Sequence, residues 1–364
     1  MKTVTICGSM RFAKEMQEIA YELEIHHGMN VLQCVCNAQG GPPAREEMEV
    51  LGQIHYKKID LSDAIYVLDM DGKIGEATQR EIEYARARGK EVIFHTEFVA
   101  QNQKDEPTVE ALFLGTCACD FSPKLKTEYK DCFDKDARRA SVLLFDDTYM
   151  IDCGPHALES LRIAGKDIAK ITDIFISHIH YDHFTSGHIK AIAEGREKPL
   201  RLWVREGSVF DPIENVEIHW MKPYERYEVA PDVFFTGLIA NHNEESTPQH
   251  LILEKDGKKI FYGCDGGWFL APTYEHMKHQ AFDLMVLDCT VGDRPENPLM
   301  AVHNNIPMIK MMMPTLRMEQ MVTKKSRVFI SHIAPMFHRS HAETCFIMKD
   351  SGVEVAYDGL AVRI

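Results

Sequence analysis

The stretch DIFISHIHYDH, residues 173–183, constrains this chain more than any other. Its first half is apolar and β-branched, the pattern of a buried strand. Its second half is crowded with side chains that can hold a metal. His178 and His180 lie two apart, so in extended backbone both point the same way. The chain must then bend, which turns Asp182 and His183 toward a second ion. Two ions roughly 3.5–4 Å apart can share a water, lower its pKa and clamp an in-line displacement. The rival reading is a histidine-rich surface loop, which needs no partner residues elsewhere.

Partner residues are present further on. His242 in GLIANHN, Asp265 in FYGCDGG and His332 in RVFISHIAP each follow an apolar strand pattern and precede a turn. Asp152, in YMIDCG, ends another strand and is placed to orient a ligand from behind. His188 falls one turn into the next helix and reads as scaffold. His26, His27, His55 and His219 are isolated and read as ordinary histidines. The set is imidazole and carboxylate without thiolate, which suits two divalent ions such as Zn²⁺, Mn²⁺ or Fe²⁺.

HxHxDH followed in order by a single His, a single Asp and a final His resembles the metallo-β-lactamase-fold hydrolase superfamily, over residues 107–364. The resemblance implies a four-layer αββα sandwich of the α+β class. It implies that His178, His180 and His242 hold one ion and that Asp182, His183 and His332 hold the other. Asp265 would bridge the two, and Asp182 would also orient the attacking hydroxide. True β-lactamases of this fold commonly carry cysteine where this chain has Asp265. Diiron oxygen-reducing members replace the second histidine with glutamate, and glyoxalases carry a third motif that NHNEESTPQH does not match. What remains resembles the phosphodiesterase branch, which includes cyclic ribosyl-phosphate phosphodiesterases and tRNA 3′-processing relatives. FLGTCACD and RRASVLLFDDTYMIDCGP echo the opening of that branch. His303, in VHNNIP, matches a position where such enzymes place a histidine near the leaving group, where it would act as general acid.

The first hundred residues have a different texture. TVTICG, NVLQCVC, AIYVLDM and EVIFHT read as strands, separated by three helical patterns. Such alternation implies an α/β domain with a parallel sheet, binding its ligands at the carboxyl ends of the strands. The glycine turn in CGSMRF, with Gly8, Ser9 and Arg11, can cradle a phosphate. Asp69 ends the third strand and Glu81 sits in the following helix. GSMR and the helix ending in ARARGKEV resemble the nucleoside 2-deoxyribosyltransferase superfamily, including its nucleotide N-hydrolase branch, over residues 1–95. That likeness implies Glu81 as nucleophile at an anomeric carbon. It implies that Asp69 binds sugar or base and that Ser9 and Arg11 hold a 5′-phosphate. Members often dimerise to complete the pocket, so it also implies a homo-oligomer. The expected division is residues 1–98 for this domain, 99–108 for a polar linker containing Pro107, and 109–364 for the metallohydrolase. In the second part, helices are expected near residues 157–164, 187–194, 272–279 and 307–324, and EKDGKK reads as a hairpin turn.

Charge and cysteines narrow the partners. The chain has 364 residues and a formal net charge of −14. A protein that grips a nucleic-acid backbone usually presents a basic stripe, so the expected substrate is a small anion, a nucleotide or ribosyl phosphate, and not nucleic acid. The ten cysteines include no CxxC. With no export signal and no apolar run that could cross a bilayer, a cytoplasmic protein with reduced thiols is expected. CVC (Cys34, Cys36) and CAC (Cys117, Cys119) are too tight to chelate one zinc. The expected activity is therefore dimetal hydrolysis of a phosphodiester, beside a domain that binds a nucleotide or cleaves its N-glycosidic bond. The rival is a thioester or lactone hydrolase whose first domain only senses a nucleotide.

Overall fold

In the computed structural model, residues 1–34, 44–70, 74–103 and 108–364 are described. Cys36 and the residues 104–107 of the expected linker lie outside them. The chain divides into two compact units, Met1–Pro107 and Thr108–Ile364.

The first unit runs β1 (Thr3–Cys7), α1 (Ala13–Ile25), β2 (Asn30–Leu32), α2 (Arg45–Leu61), β3 (Ala64–Val67), α3 (Glu76–Ala87), β4 (Glu91–Phe94) and α4 (His95–Gln103). Its four strands form a parallel sheet in the order β2-β1-β3-β4. Alternation along β1 sends Val4 and Ile6 to one face, where they pack with Met16, Ala20 and Leu23 of α1. Cys7 faces the other side, with Ile59 of α2 and Ile82 and Ala85 of α3. The helices cover both faces, and the strand order reverses between β1 and β3. The helix α4 is a correction to the expected domain boundary: the chain coils from His95 to Gln103, where a linker was expected from residue 99. Asp69 caps it, accepting hydrogen bonds from the Thr96 N–H at 3.0 Å and from the Thr96 hydroxyl.

The second unit continues with β5 (Glu110–Gly115), β6 (Val142–Phe145), β7 (Tyr149–Ile151), α5 (Ala157–Ile163), β8 (Asp173–Phe175), α6 (Ser186–Ala193), β9 (Leu200–Arg205) and β10 (Val216–Met221). It then adds β11 (Arg226–Ala230), β12 (Val233–Ile239), β13 (Gln249–Lys255), β14 (Lys258–Gly263), α7 (Ala271–Met277), β15 (Phe282–Asp288) and α8 (Ile306–Met318). The last elements are β16 (Val322–Ser331), α9 (His341–Met348), β17 (Glu354–Val355) and β18 (Leu360–Arg363). Two mixed seven-stranded sheets result, β10-β9-β8-β7-β6-β5-β18 and β11-β12-β13-β14-β15-β16-β17.

Three apolar cores define the layers. Phe113, Phe145, Phe175, Phe235, Leu253 and Phe329 meet between the sheets. Outside the first sheet, Ala157 and Leu161 of α5 and Ile189 and Ile192 of α6 pack on Leu144 and Ile174. Outside the second, Met277 of α7, Ile309 and Met313 of α8 and Met348 of α9 pack on Phe261, Met285 and Ile330. This is the layering of a metallo-β-lactamase sandwich. The Asp256–Gly257 turn joins β13 to β14 with both residues at positive φ, 52° and 75°, as a primed hairpin turn requires. One expected helix is too long: α8 ends at Met318, Gln320 turns left-handed at φ 53°, and β16 begins at Val322, which pairs with Phe282 of β15. No helix among the described residues is long and apolar enough to cross a membrane.

Candidate metal centre

The strand ends of the second unit converge on one point. β8 stops at Phe175, and the loop after it carries His178, His180, Asp182 and His183. His242 follows β12, Asp265 follows β14 and His332 follows β16. These seven residues form two groups whose ligand atoms all lie within 4.8 Å of one another: His178, His180, His242 and Asp265, and Asp182, His183, His332 and Asp265. Asp265 belongs to both.

The distances test whether the groups fit an ion. In the first group, His178 Nε2 lies 2.9 Å from His180 Nδ1, which is 3.3 Å from His242 Nε2. In the second, His183 Nε2 lies 3.2 Å from His332 Nε2 and 3.4 Å from Asp182 Oδ2. Asp265 Oδ2 is 3.0 Å from His178 Nε2, 3.4 Å from His183 Nε2 and 3.6 Å from His332 Nε2. Ligands at about 2.0–2.1 Å from a tetrahedral ion stand roughly 3.3 Å apart. The remaining oxygen, Asp265 Oδ1, is buried and makes no hydrogen bond, although His303 Nδ1 is 3.2 Å away. A buried carboxylate oxygen left orphaned among imidazoles is costly without a cation. The donor set therefore fits two divalent ions, with Asp265 between them.

Electrostatics leave His178 and Asp265 in their metal-binding forms. At His183 and His332 burial is outweighed by the surrounding carboxylates, which raise both imidazoles, so an ion there must displace a proton. Burial and the neighbouring His183 push His178 down to about 4, leaving its ring neutral. Burial raises the Asp265 carboxyl, but the surrounding imidazoles outweigh this and hold it well below the carboxylate range. Behind the ligands stands Asp152, fully buried. It accepts the Ser177 N–H at 2.7 Å and faces His183 Nδ1 at 2.7 Å. That contact assigns the ring proton to Nδ1 and leaves Nε2 free for a metal.

A second buried carboxylate, Asp288 at the end of β15, does the same for His332. Its Oδ2 is 3.1 Å from His332 Nδ1 and 3.2 Å from His303 Nδ1, and it accepts the Thr290 hydroxyl at 2.7 Å. Asp288 was not among the sequence candidates, because an acidic residue closing the run LMVLD carries no pattern of its own. His303 joins the ligand cluster, as one of a group with Asp265, Asp288 and His332. Burial lowers it, but Asp288 and Asp265 outweigh that and raise its pKa. His188 Nδ1 donates to the Gly154 carbonyl, 2.9 Å away, outside both groups. A cleft of about 270 Å³ opens over the centre, lined by Cys119, Asp120, His242, His303, Met336 and Phe337 among others.

The candidates in the first unit are distributed differently. Ser9 precedes a short helical turn without capping it, Arg11 lies exposed over the Phe12 ring, and Gly8 packs against Met16 and Leu68. Asp69 is engaged by Thr96. Glu81 faces His55, with its Oε1 3.4 Å from the ring Nε2. His55 is thus no ordinary histidine: Cys7 and Cys34 flank it as well. All nine described cysteines are free thiols, five of them buried.

Comparison with known proteins follows the same lines. Ribonuclease Z of Methanococcus maripaludis strain C6 is 31% identical over 125 residues, covering 32% of this chain and 37% of that protein. The chain thus spans little more than a third of the length of that curated relative. Zn²⁺-bound PqqB from Methylobacterium extorquens superposes with a TM-score of 0.53 at 14% identity, over 70% of this chain and 99% of that one. Human tRNase Z, short form, superposes with a TM-score of 0.50 at 17% identity, over 70% and 98%. Residues 147–333, which include every candidate ligand from His178 to His332, match the family described as the beta-lactamase superfamily domain. The chain belongs to that superfamily.

Proposed function

We propose that the second unit is a dimetal hydrolase of phosphodiesters and that its substrate is a ribosyl or nucleotide phosphate. The observation that carries this is the Asp265 carboxylate, common to two closed groups of His and Asp ligands. Support for the phosphodiester comes from the curated relatives, which bear the name ribonuclease Z. Two divalent ions held there supply Lewis acidity and a water of lowered pKa. Zn²⁺ and Mn²⁺ suit the donor set best, with Fe²⁺ also compatible.

The chain's own residues do the rest. Asp182 accepts a hydrogen bond from the attacking water and aims it at phosphorus. As the new P–O bond forms, the bond to the leaving oxygen breaks on the opposite side. His303 is anchored through Nδ1 on Asp288 and Thr290. Its other nitrogen gives the departing alkoxide its proton. The small cleft admits the reacting phosphate, while the exposed Tyr181 and Met336 offer apolar surface to the rest of the substrate.

The expectation against nucleic acid draws no support from relatives that are named for acting on RNA. Cleavage of an N-glycosidic bond by Glu81 draws none from the family match, which lies wholly within the second unit. The test is a substrate panel with Mn²⁺ or Zn²⁺: bis(p-nitrophenyl) phosphate, 2′,3′-cyclic nucleotides, RNA with an extended 3′ end, and thioesters. Phosphodiester turnover is expected. Thioester turnover without it overturns the reading.

A further inference from the structure

We propose that the first unit has a metal site of its own, formed by Cys7, His55 and Glu81, which takes a borderline-soft divalent cation of the zinc class. The three side chains come from three elements. Cys7 ends β1, His55 lies on α2 and Glu81 on α3. Alternation along β1 puts Cys7 on the face that α2 and α3 cover. The meeting point lies at the carboxyl end of β1, next to the place where the strand order reverses, which is where open α/β sheets bind ligands.

The geometry is that of ligands around a cation. Cys7 Sγ is 3.5 Å from His55 Nε2, and Glu81 Oε1 is 3.4 Å from the same nitrogen. All three ligand atoms lie within 4.8 Å of one another. Around a tetrahedral zinc ion, sulfur and nitrogen ligands stand about 3.5 Å apart and nitrogen and oxygen about 3.4 Å. Glu81 Oε2 is buried and has no hydrogen-bond partner, so the carboxylate keeps acceptor capacity that the protein itself does not use.

A cysteine–histidine–carboxylate relay is the competing arrangement, and the distances disfavour it. A relay sets the nucleophile on one ring nitrogen and the carboxylate on the other. Here thiol and carboxylate crowd the same nitrogen, which can carry only one proton. The opposite nitrogen, Nδ1, is taken by Cys34 Sγ at 3.4 Å. Cys34 thus orients the ring from behind, as outer partners of metal-bound histidines do. Apolar neighbours Ile59, Ile65, Val67 and Ile82 close the site toward the sheet. Three protein ligands leave a fourth position for water or a bound group, the pattern of catalytic zinc sites. With no cation, burial pushes the Cys7 thiol up to about 12; binding must release that proton. In this arrangement Glu81 is a ligand and not a glycosidic nucleophile.

Cobalt(II) bound to the full-length chain tests the proposal independently of the second unit's activity. The dimetal groups offer only imidazole and carboxylate, so a thiolate-to-cobalt charge-transfer band in the near ultraviolet reports on a cysteine ligand alone. The band is expected in the wild type and in Cys119→Ser, which removes the thiol at the second unit's cleft. It is expected to vanish in Cys7→Ser. Glu81→Gln changes a partly exposed side chain, so it tests the site without disturbing the core. It should keep the fold by circular dichroism while weakening cobalt binding at least about tenfold. Absence of the band in the wild type, its survival in Cys7→Ser, or unchanged affinity in Glu81→Gln would overturn the site.

Discussion

Asp288 ends an apolar strand without any flanking signal, yet it holds the proton-bearing side of two histidines, His332 and His303. A carboxylate behind a ligating imidazole fixes its tautomer and sharpens its basicity. Asp288→Asn should therefore weaken metal binding by roughly 10–100-fold, measured by chelator competition, with the folded baseline unchanged. An affinity equal to the wild type would return Asp288 to a purely structural role. The candidate ligands that the structure brings together were legible in the sequence, because His and Asp at strand ends in a fixed order leave few alternatives. Asp288 was not, since its role comes from two residues, His303 and His332, that lie 15 and 44 positions away. His55 was missed for the same reason: its partners Cys7 and Glu81 arrive through the parallel pairing of the sheet, not through local spacing.

At the scale of elements, the centre depends on abrupt strand ends. Asp152, Asp265 and His332 all adopt positive φ, at 66°, 57° and 55°. Non-glycine residues there cost of order 1 kcal/mol or more each, and the strain turns each side chain out of its strand and into the site. Close backbone approach is the second requirement. A Cβ on Gly154 would sit 1.9 Å from the carbonyl oxygen of Asp182, so the loop after β7 can brace the ligand loop only with glycine. Gly154→Ala should displace Asp182, and elemental analysis of the dialysed protein should find less bound metal than in the wild type. Full retention would mean that the loop relaxes without moving the ligand. The loop before β6 supplies a further brace: the Ile333 N–H donates to Thr116 O at 2.8 Å, and Arg138 reaches the Thr116 hydroxyl at 2.6 Å. RRAS was legible only as a resemblance, because a buried arginine cannot be told from an exposed one by its neighbours in sequence.

The whole molecule is two units with separate cores. The units part at Pro107, within the polar stretch after which the texture of the sequence changes, and the alternation of strand and helix marked the first unit's parallel sheet. The helix α4 was hidden by its polar composition, since Asp69, distant in sequence, supplies its cap. Edge elements such as β11, β17 and α9 also escaped notice, being short and half exposed. In the second unit the sheets are joined by aromatic packing, with Phe175 and Phe235 stacked at 3.4 Å between ring centroids. Phe235→Ala should destabilise that unit by about 3–5 kcal/mol, read from its denaturant transition; a change under about 1 kcal/mol would mean that the cavity collapses freely.

The central claim is that the two groups sharing Asp265 hold ions that make the second unit a phosphodiester hydrolase. It is tested most directly by following bis(p-nitrophenyl) phosphate hydrolysis while Mn²⁺ is titrated back into chelator-stripped protein. The stripped chain should be inactive and should recover with added metal, while Asp265→Ala should stay at least about a hundredfold below the wild type. Turnover by the stripped chain, or equal recovery in Asp265→Ala, would contradict the account.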